Sequence, residues 1–559
     1  MSGQRMARKY GNAEAGLFVG VWLALMTFGR SRLFQDPGTF WHTVMGRKMW
    51  SSGRLIEADP FSYTFGGTPW TPYEWLAECA MAAVHGFSEF DGLLLATATT
   101  LAGLYTWTAH RLMRSGLHWL PTTLFLTLTI AVSCSHFLVR PHIASIVFLG
   151  LTFAFLCDFE AGRIGLGRLF WLIPLFIIWT NWHGAVLGGL AILGLAALGW
   201  SLAWGFHLES PVVRPRQAGV LGVLVFGCGL TILVNPYGLE VPRTWLKIMR
   251  SPVVPRLIVE HAPPNPGEVS FWMILALGLV YLISLPGTRP HRPRVTWLIP
   301  IVWFVLTLSR IRHAPLFAIV TALAFADMLP YSRLATWLAK PGRDLYQPPE
   351  STSKPTWPRD WRPALLPALM ILSSVAFQAS DARVPILGRG WARLDPAYWP
   401  VELLPELRRC ERRYPLGSRI FNDYTLGGFL IYFTPGLKVF MDDRCEVYGD
   451  TWLERFARAD SDEPELMDEW LEEYRIDDVF VLSGSGFDRH IAGRPGWSLV
   501  GRSPAANLYH RDQPLSSGRS AWEGGRGQGA TAQRRGATLP PPKSPAGAGA
   551  SLSQSTPTR

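Results

Sequence analysis

Cysteine is scarce in this chain, with six among 559 residues, and none falls in a metal-binding spacing. Charge is scarce as well: 17% of residues are charged against 48% hydrophobic, with a mean hydropathy of +0.15. Soluble domains carry about a quarter charged residues, and a single soluble core does not grow to this length. No Gly-rich phosphate loop is present, "LGGF" (426–429) being too short for one. No tandem repeat is found. No small-residue cleavage site follows the apolar stretch 15–29, although Arg5, Arg8 and Lys9 precede it, so a retained first span is expected.

What is present is a series of apolar runs. A membrane span needs about 20 mainly apolar residues, fewer where helices are buried or broken. Eleven runs qualify: 15–29, 91–109, 119–137, 143–158, 168–182, 184–206, 218–234, 269–286, 296–309, 314–330 and 364–380. The 25 tryptophans suit interfacial belts. The fold class expected is mainly α: a polytopic helical membrane protein of about eleven spans, with a small extracytoplasmic α/β domain at 381–513 and a disordered Gly/Ser/Pro/Ala/Arg tail at 514–559. Strand-like "RIFND" (419–423), "KVFMDD" (438–443) and "DVFVL" (478–482), with helical "LMDEWLEEY" (466–474), make up the α/β segment.

The formal charge of +11 does not point to nucleic acid, because the basic residues fall in short loops between spans, the pattern that sets membrane orientation. The stretch 73–87 decides that orientation. Read as an interfacial helix, it puts Arg111/Arg114, Arg163/Arg168, Arg214/Arg216, Arg289/Arg292/Arg294 and the linker 331–363 on the cytoplasmic side, with the amino terminus. Read as a span, it flips most of those loops outward and the rule fails. With 73–87 interfacial, every unusual polar cluster falls on the outer face, as does the segment from 381 onward. Polar groups gathered at membrane depth commonly face a cavity or a partner.

The first cluster is "LFQDPGTFWHT" (33–43), where Phe40, Trp41 and His42 accompany Asp36. A carboxylate there can take a proton from a hydroxyl or hold a divalent cation; equally, an acid before Pro-Gly can open a helix. Glu57, Asp59, Glu74 and Glu78 share the same loop. Arg140 and His142 in "RPH" (140–142) suit phosphate oxygens or lipid headgroups. Asn181 and His183 in "NWHG" (181–184) can bind sugar hydroxyls or satisfy backbone freed at a helix break. The loop opened by "NPYG" (235–238) carries Arg243, Lys247, Arg250 and Glu260, and "RIRH" (310–313) adds Arg310, Arg312 and His313. Cations near an acid suit a phosphate leaving group. In the C-terminal segment, Asp423, Asp442, Asp443 and Arg444 end strands, where a structural or acceptor-binding role is expected. Cys410 and Cys445 lie in the same segment and either pair or stay as free thiols.

Acid–Pro–x–x–aromatic, a helical stretch to "SGR" (52–54), an "ADPF" turn (58–61) and then "WTPYEWL" (70–76) resemble the first outer loop of the GT-C membrane glycosyltransferases. The likeness is to the branch with aminoarabinose transferase, protein O-mannosyltransferases and rhizobial-type lipid A glycosyltransferases. "RPH", "WTNWHG", "NPYG" and "NDYTLGGFLIY…KVFMDDR" are similar to a group of large bacterial membrane proteins allied to them. The match spans most of 15–510. The resemblance implies a bacterial inner-membrane enzyme taking sugar from a polyprenyl-phosphate carrier, with Asp36 in the place of the catalytic acid. It also implies an amino terminus on the cytoplasmic side. Gln35-Asp36 stands where many relatives carry an acidic pair, so a divalent cation is compatible with the sequence but not required by it. "WTPYEWL" replaces the basic Lys-Pro-Pro motif of the lipid A enzymes, so donor contacts are not carried over.

The function expected is therefore an inverting transferase acting on an extracytoplasmic glycan, lipid or protein acceptor, with Asp36 as base. The donor- or substrate-binding candidates are His42, Asp59, Glu74, Arg140, His142, Asn181, His183, Arg310, Arg312 and His313. A lipid or polysaccharide flippase, or a non-catalytic scaffold of the same fold, would share the spans and the cationic cavity.

Overall fold

The structure, a computed structural model, describes residues 2–288, 293–348 and 362–513. The expected tail, Arg289, Arg292 and part of the linker 331–363 lie outside the described residues.

All eleven apolar runs are helical. They fall in α1 (Ser2–Arg32), the second part of α3 (Trp75–Arg114), α4 (Trp119–Ser133), α5 (His142–Glu160), α6 (Leu172–Thr180), α7 (Val186–Gly205), α8 (Pro215–Leu230), α11 (Val269–Ser284), α12 (Val295–Ser309), α13 (Ala314–Met328) and α15 (Arg362–Ala379). Seven helices among the described residues are long and apolar enough to cross a membrane, those of α1, α5, α7, α8, α11, α13 and α15. The other four runs are shorter or less apolar. The helix α13 is the hub: every residue from Phe317 to Met328 is buried, because neighbouring helices rather than lipid surround it.

Between α1 and the second part of α3 lies the first loop. It begins with α2 (Gly38–Ser52), which stops at Gly53 in the left-handed region, whose N–H bonds Met49 O. The backbone leaves helical geometry at Ser88 and Glu89, so 75–87 is a separate helix set against α2. A Cβ on Gly46 would stand 1.9 Å from Glu78 O, so only glycine lets these two backbones touch. A second long loop carries α9 (Glu240–Arg250) and the short α10 (Val254–Leu257), and α14 (Arg333–Leu338) follows α13.

After α15 the chain runs back across the bundle, where the Asp91 carboxylate accepts the N–H groups of Gly390, Trp391 and Ala392 at 2.8–2.9 Å. The α/β segment then holds α16 (Leu404–Arg413), β1 (Ser418–Asn422), α17 (Tyr424–Phe433), β2 (Leu437–Val439), α18 (Cys445–Tyr448), α19 (Asp450–Ser461), α20 (Glu465–Glu473), β3 (Asp478–Leu482), α21 (Gly486–Ala492), β4 (Trp497–Arg502) and β5 (Ala506–Arg511). The sheet order is β2-β1-β3-β5-β4, parallel across β2, β1 and β3 and antiparallel beyond.

This sheet is not a detached module. Phe40, Trp41, Val44, Met45 and Met49 of α2 share a core with Trp399, Leu407, Phe429, Val439 and Phe480. Val253 and Val254 of the second long loop join Phe440, Phe456 and Trp470. The first loop also borders edge strand β2: Ser62 bridges Val439, and Tyr63 N–H bonds Val439 O at 3.0 Å. Cys410 and Cys445 are both free thiols.

Candidate functional site

The turn between α1 and α2 places Asp36. Val139 N–H bonds Leu33 O at 2.8 Å and Thr39 Oγ1 donates to Val139 O at 2.8 Å, which ties that turn to the start of "RPH". Asp36 Oδ1 accepts the Gly38 N–H at 2.7 Å, while Oδ2 accepts from Arg140 Nη1 at 3.0 Å. The capping role and the charged-site role thus coexist in one side chain. A Cβ on Gly38 would lie 2.6 Å from Asp36 Oδ1 and 3.3 Å from Arg140 Nε, so glycine is what keeps the carboxylate in contact with its guanidinium.

Asp36 is 6% exposed. Burial raises its pKa to about 6, against the pull of Arg140 and with Glu260 pushing the same way. Glu260 is the second carboxylate on Arg140, at 3.5 Å. Burial works to raise it as well, but Arg140, His136 and Arg312 hold it down to about 2. Arg312 contacts His261 through Nη1, next in sequence to Glu260. Arg140, Arg312 and Glu260 therefore form one charged cluster beside Asp36. Arg310 and His313 do less: the Arg310 N–H closes α12 on Leu306 O, and His313 Nδ1 faces that same carbonyl at 3.1 Å. His142 Nε2 lies 2.6 Å from His136 O, with its ring centre 6.5 Å from that of His183.

A second, continuous line of polar groups runs inward from α2. His42 Nδ1 lies 3.0 Å from Glu78 Oε1, and its Nε2 lies 3.3 Å from Glu74 Oε2. The other Glu74 oxygen lies 3.4 Å from His183 Nε2. His183 Nδ1 accepts from Ala185 N–H at 3.0 Å and faces Ser145 Oγ at 3.1 Å, which itself accepts from Trp179 Nε1 at 2.8 Å. This fixes the His183 proton on Nε2, toward Glu74. Burial, then Arg140, depresses His42, and burial, then His142, depresses His183. Burial lifts Glu74 to about 8 and Glu78 well above the carboxylate range. These directions all favour uncharged forms, so the line reads as polar groups in close contact, hydrogen-bonded between His42 and Glu78, and not as ion pairs.

Two further candidates are fasteners in this structure. Asn181 Oδ1 accepts from Trp75 Nε1, and its amide donates to Ile177 O and Val234 O, all at 2.8 Å. All three of its bonds fasten the helix break. Asp59 accepts the N–H groups of Phe61 and Ser62 and the Ser62 hydroxyl, and binds Arg444 Nη2 at 2.7 Å. Arg444 also grips Asp442 at 2.6 and 2.7 Å. Burial opposes charge on both partners, but Arg444 holds the Asp59 carboxyl below its usual range and Asp442 holds Arg444 protonated.

Glu78, Glu260 and Asp443 belong to the site more closely than their sequence positions suggest, and His136, Ser145 and Trp179 join it too. Of the last three, His136, in "SCSHFLVRPH", offers a local signal. Among the described residues, no group of three or more His, Cys, Asp or Glu is arranged to hold a metal ion. The donors around Asp36 do not suit a divalent cation either, since both oxygens are engaged and Arg140 already supplies the positive charge.

No family model matches the chain, and no curated protein matches it. Among solved structures it is similar to an oligosaccharyltransferase and to ArnT. The oligosaccharyltransferase of Archaeoglobus fulgidus in the apo form has 12% identity and a TM-score of 0.49, over 85% of this chain and 69% of that one. ArnT from Cupriavidus metallidurans in the apo state has 14% identity and a TM-score of 0.47, over 88% of this chain and 97% of that one. ArnT bound to undecaprenyl phosphate has a TM-score of 0.37 at the same identity.

Proposed function

We propose that this chain is an integral-membrane glycosyltransferase that moves a sugar from a polyprenyl-phosphate-linked donor to an acceptor hydroxyl, with the site on the extracytoplasmic face. One observation carries the reading: a buried Asp36 carboxylate, tuned to about 6 and in contact with an arginine. A general base works best with a pKa near the operating pH. Asp36 takes the proton of the acceptor hydroxyl as that oxygen bonds to the anomeric carbon. The bond from that carbon to the phosphate oxygen breaks, and its electrons leave with the phosphate. Arg140 and Arg312 receive the charge. Attack opposite the leaving group inverts the anomeric centre.

The flippase alternative needs paired halves that rock against each other. The described bundle instead carries an ion network at the helix ends away from Asp36. The fully buried Asp327 binds Arg163 at 2.5 Å and Arg294 at 2.6 Å, and Asp158 binds Arg111 and Arg163 at 2.7 Å. A tied bundle end favours a fixed site.

The test supplies membranes with radiolabelled polyprenyl-phosphate sugars and compares the wild type with Asp36→Asn. Loss of about a thousandfold in transfer is expected, within the range of a missing general base, with the protein still folded. Undiminished transfer by Asp36→Asn would sink the reading, and labelled carrier crossing the bilayer without transfer would replace it with the flippase.

A further inference from the structure

Asp443 is the one acid of "MDDR" whose role is open. Its neighbour Asp442 is fully occupied, both oxygens on Arg444 and its N–H on Tyr448 OH at 3.0 Å. Asp443 Oδ1 is shut off from solvent and meets no protein donor. An enclosed carboxyl oxygen without a partner is costly unless a ligand completes it.

The fold fixes where that oxygen sits. Two consecutive glycines in α17 hold two turns on adjacent faces of one helix end. A Cβ on Gly427 would meet Met441 O at 2.3 Å and Asp442 Cα at 2.7 Å. A Cβ on Gly428 would meet Pro37 O at 2.3 Å. The turn that carries Asp443 and the turn that carries Asp36 are thereby locked against the same residues. Asp443 lies within electrostatic reach of Asp36 and of Arg140. On the same helix end, Thr425 Oγ1 is another enclosed oxygen without a partner. Tyr398, 45% exposed, stands within reach of the Asp36 and Glu260 charges.

We infer that Asp443 and Thr425, carried by the C-terminal α/β segment, form the acceptor side of the Asp36 centre and hold a neutral, hydroxyl-rich acceptor such as a sugar. This rests on the transferase reading. Hydroxyl groups both donate and accept, so they satisfy a carboxyl and a threonine together. The exposed tyrosine ring offers an apolar face for sugar C–H groups. An anionic acceptor on this side would meet the Asp36 and Glu260 carboxylates, which a neutral one would not.

The surrounding charge agrees. Burial, then the Asp36 charge, lifts the Asp443 carboxyl well above its usual range, with Arg140 opposing. In its protonated form Asp443 donates a hydrogen bond beside a base, and in its ionised form it accepts one; either way it can orient a hydroxyl.

The full-length protein, purified in a sugar-free detergent, is titrated with octyl glucoside as a lipid-anchored sugar probe, read by saturation-transfer NMR. Saturable binding is expected for the wild type, weakened by about tenfold in Asp443→Ala, the loss of one hydrogen bond to a polar group that the site cannot replace. Asp443→Asn and Thr425→Val keep the side-chain volume and are expected to weaken it less. They carry the test if the alanine variant fails to fold. Equal binding by the wild type and all three variants overturns the assignment of these residues. No saturable binding by the wild type overturns the ligand class. Neither outcome touches Asp36, whose role stands or falls on transfer by Asp36→Asn.

Discussion

Arg444 and Arg140 each hold two carboxylates, and they are built for different ends. Arg444 is wholly enclosed, bound to Asp442 and Asp59, and its guanidinium lies 4.5 Å from the Trp70 ring centre and 5.0 Å from that of Phe61. Arg140 holds Asp36 and Glu260, but its side chain is 27% exposed and no ring among the described residues covers it. A closed pair joins two stretches of chain, here the first loop and the turn after β2. An open pair keeps one face for something else. The contrast separates fastening from function better than residue type does, because both clusters are the same chemistry.

The sharpest way to break that contrast is to remove each arginine. Arg444→Ala leaves Asp59 and Asp442 buried without a counter-charge, a loss of about 3–5 kcal/mol in stability. It is expected to lower the melting temperature strongly and to abolish transfer only through unfolding. Arg140→Ala, at a pair that is partly open, is expected to lower the melting temperature less than Arg444→Ala does and to cut transfer by about a hundredfold, as loss of a transition-state charge partner does. Thermal melts and transfer rates on the two variants decide it. A stable but inactive Arg444→Ala protein would reverse the assignment.

A smaller effect is expected with pH. On the proposed mechanism transfer needs ionised Asp36, so its rate should rise with pH and reach half its plateau at about 6, the value burial gives that carboxyl. Stability runs the other way for this group. Its folded pKa lies above the unfolded value of 3.8, so the folded state holds the proton more tightly, and this group's contribution falls as pH climbs from about 4 to 6. A pH–rate profile with no acidic limb near 6 would remove Asp36 as the base.

The same contrast explains what the sequence could and could not reveal. The helices were legible because a bilayer demands long apolar runs, and each of the eleven expected runs is helical. Asp36 was legible because an acid, a proline, a glycine and three aromatics crowd one short turn. Arg140, its direct partner, was legible as a candidate cation, but that Glu260 shares this arginine was not, because packing sets where those distant loops meet. Asp59 and Asn181 read as ligand candidates because a carboxylate or amide suits a sugar hydroxyl as well as a backbone N–H; only the structure shows all three Asn181 bonds spent. Arg111, Arg163 and Arg294, which set the orientation argument, also turn out to be paired with Asp158 and Asp327. No local pattern marks those two acids.

The smallest expected effect tests the neutral chain beside the charged one. Burial brings Glu74 to about 8, so at pH 7 it is a carboxylic acid between His42 and His183. Glutamine reproduces that state: it is neutral and nearly isosteric with an acid whose oxygens lie 3.4 Å from His183 Nε2 and 3.3 Å from His42 Nε2. Transfer by Glu74→Gln at pH 7 is expected to stay within about threefold of wild type, since a neutral amide replaces a neutral acid of the same shape. The difference should emerge in alkaline solution. The folded pKa lies above the unfolded value of 4.5, so the stability this group contributes declines as pH rises from about 4.5 to 8, and glutamine removes that decline. Melting temperatures of the two proteins should therefore diverge in favour of Glu74→Gln as pH increases across that window. If Glu74→Gln is as inactive at pH 7 as Glu74→Ala, the residue works as a charge, and the neutral line from Glu78 to Ser145 is the wrong description of this side of the site.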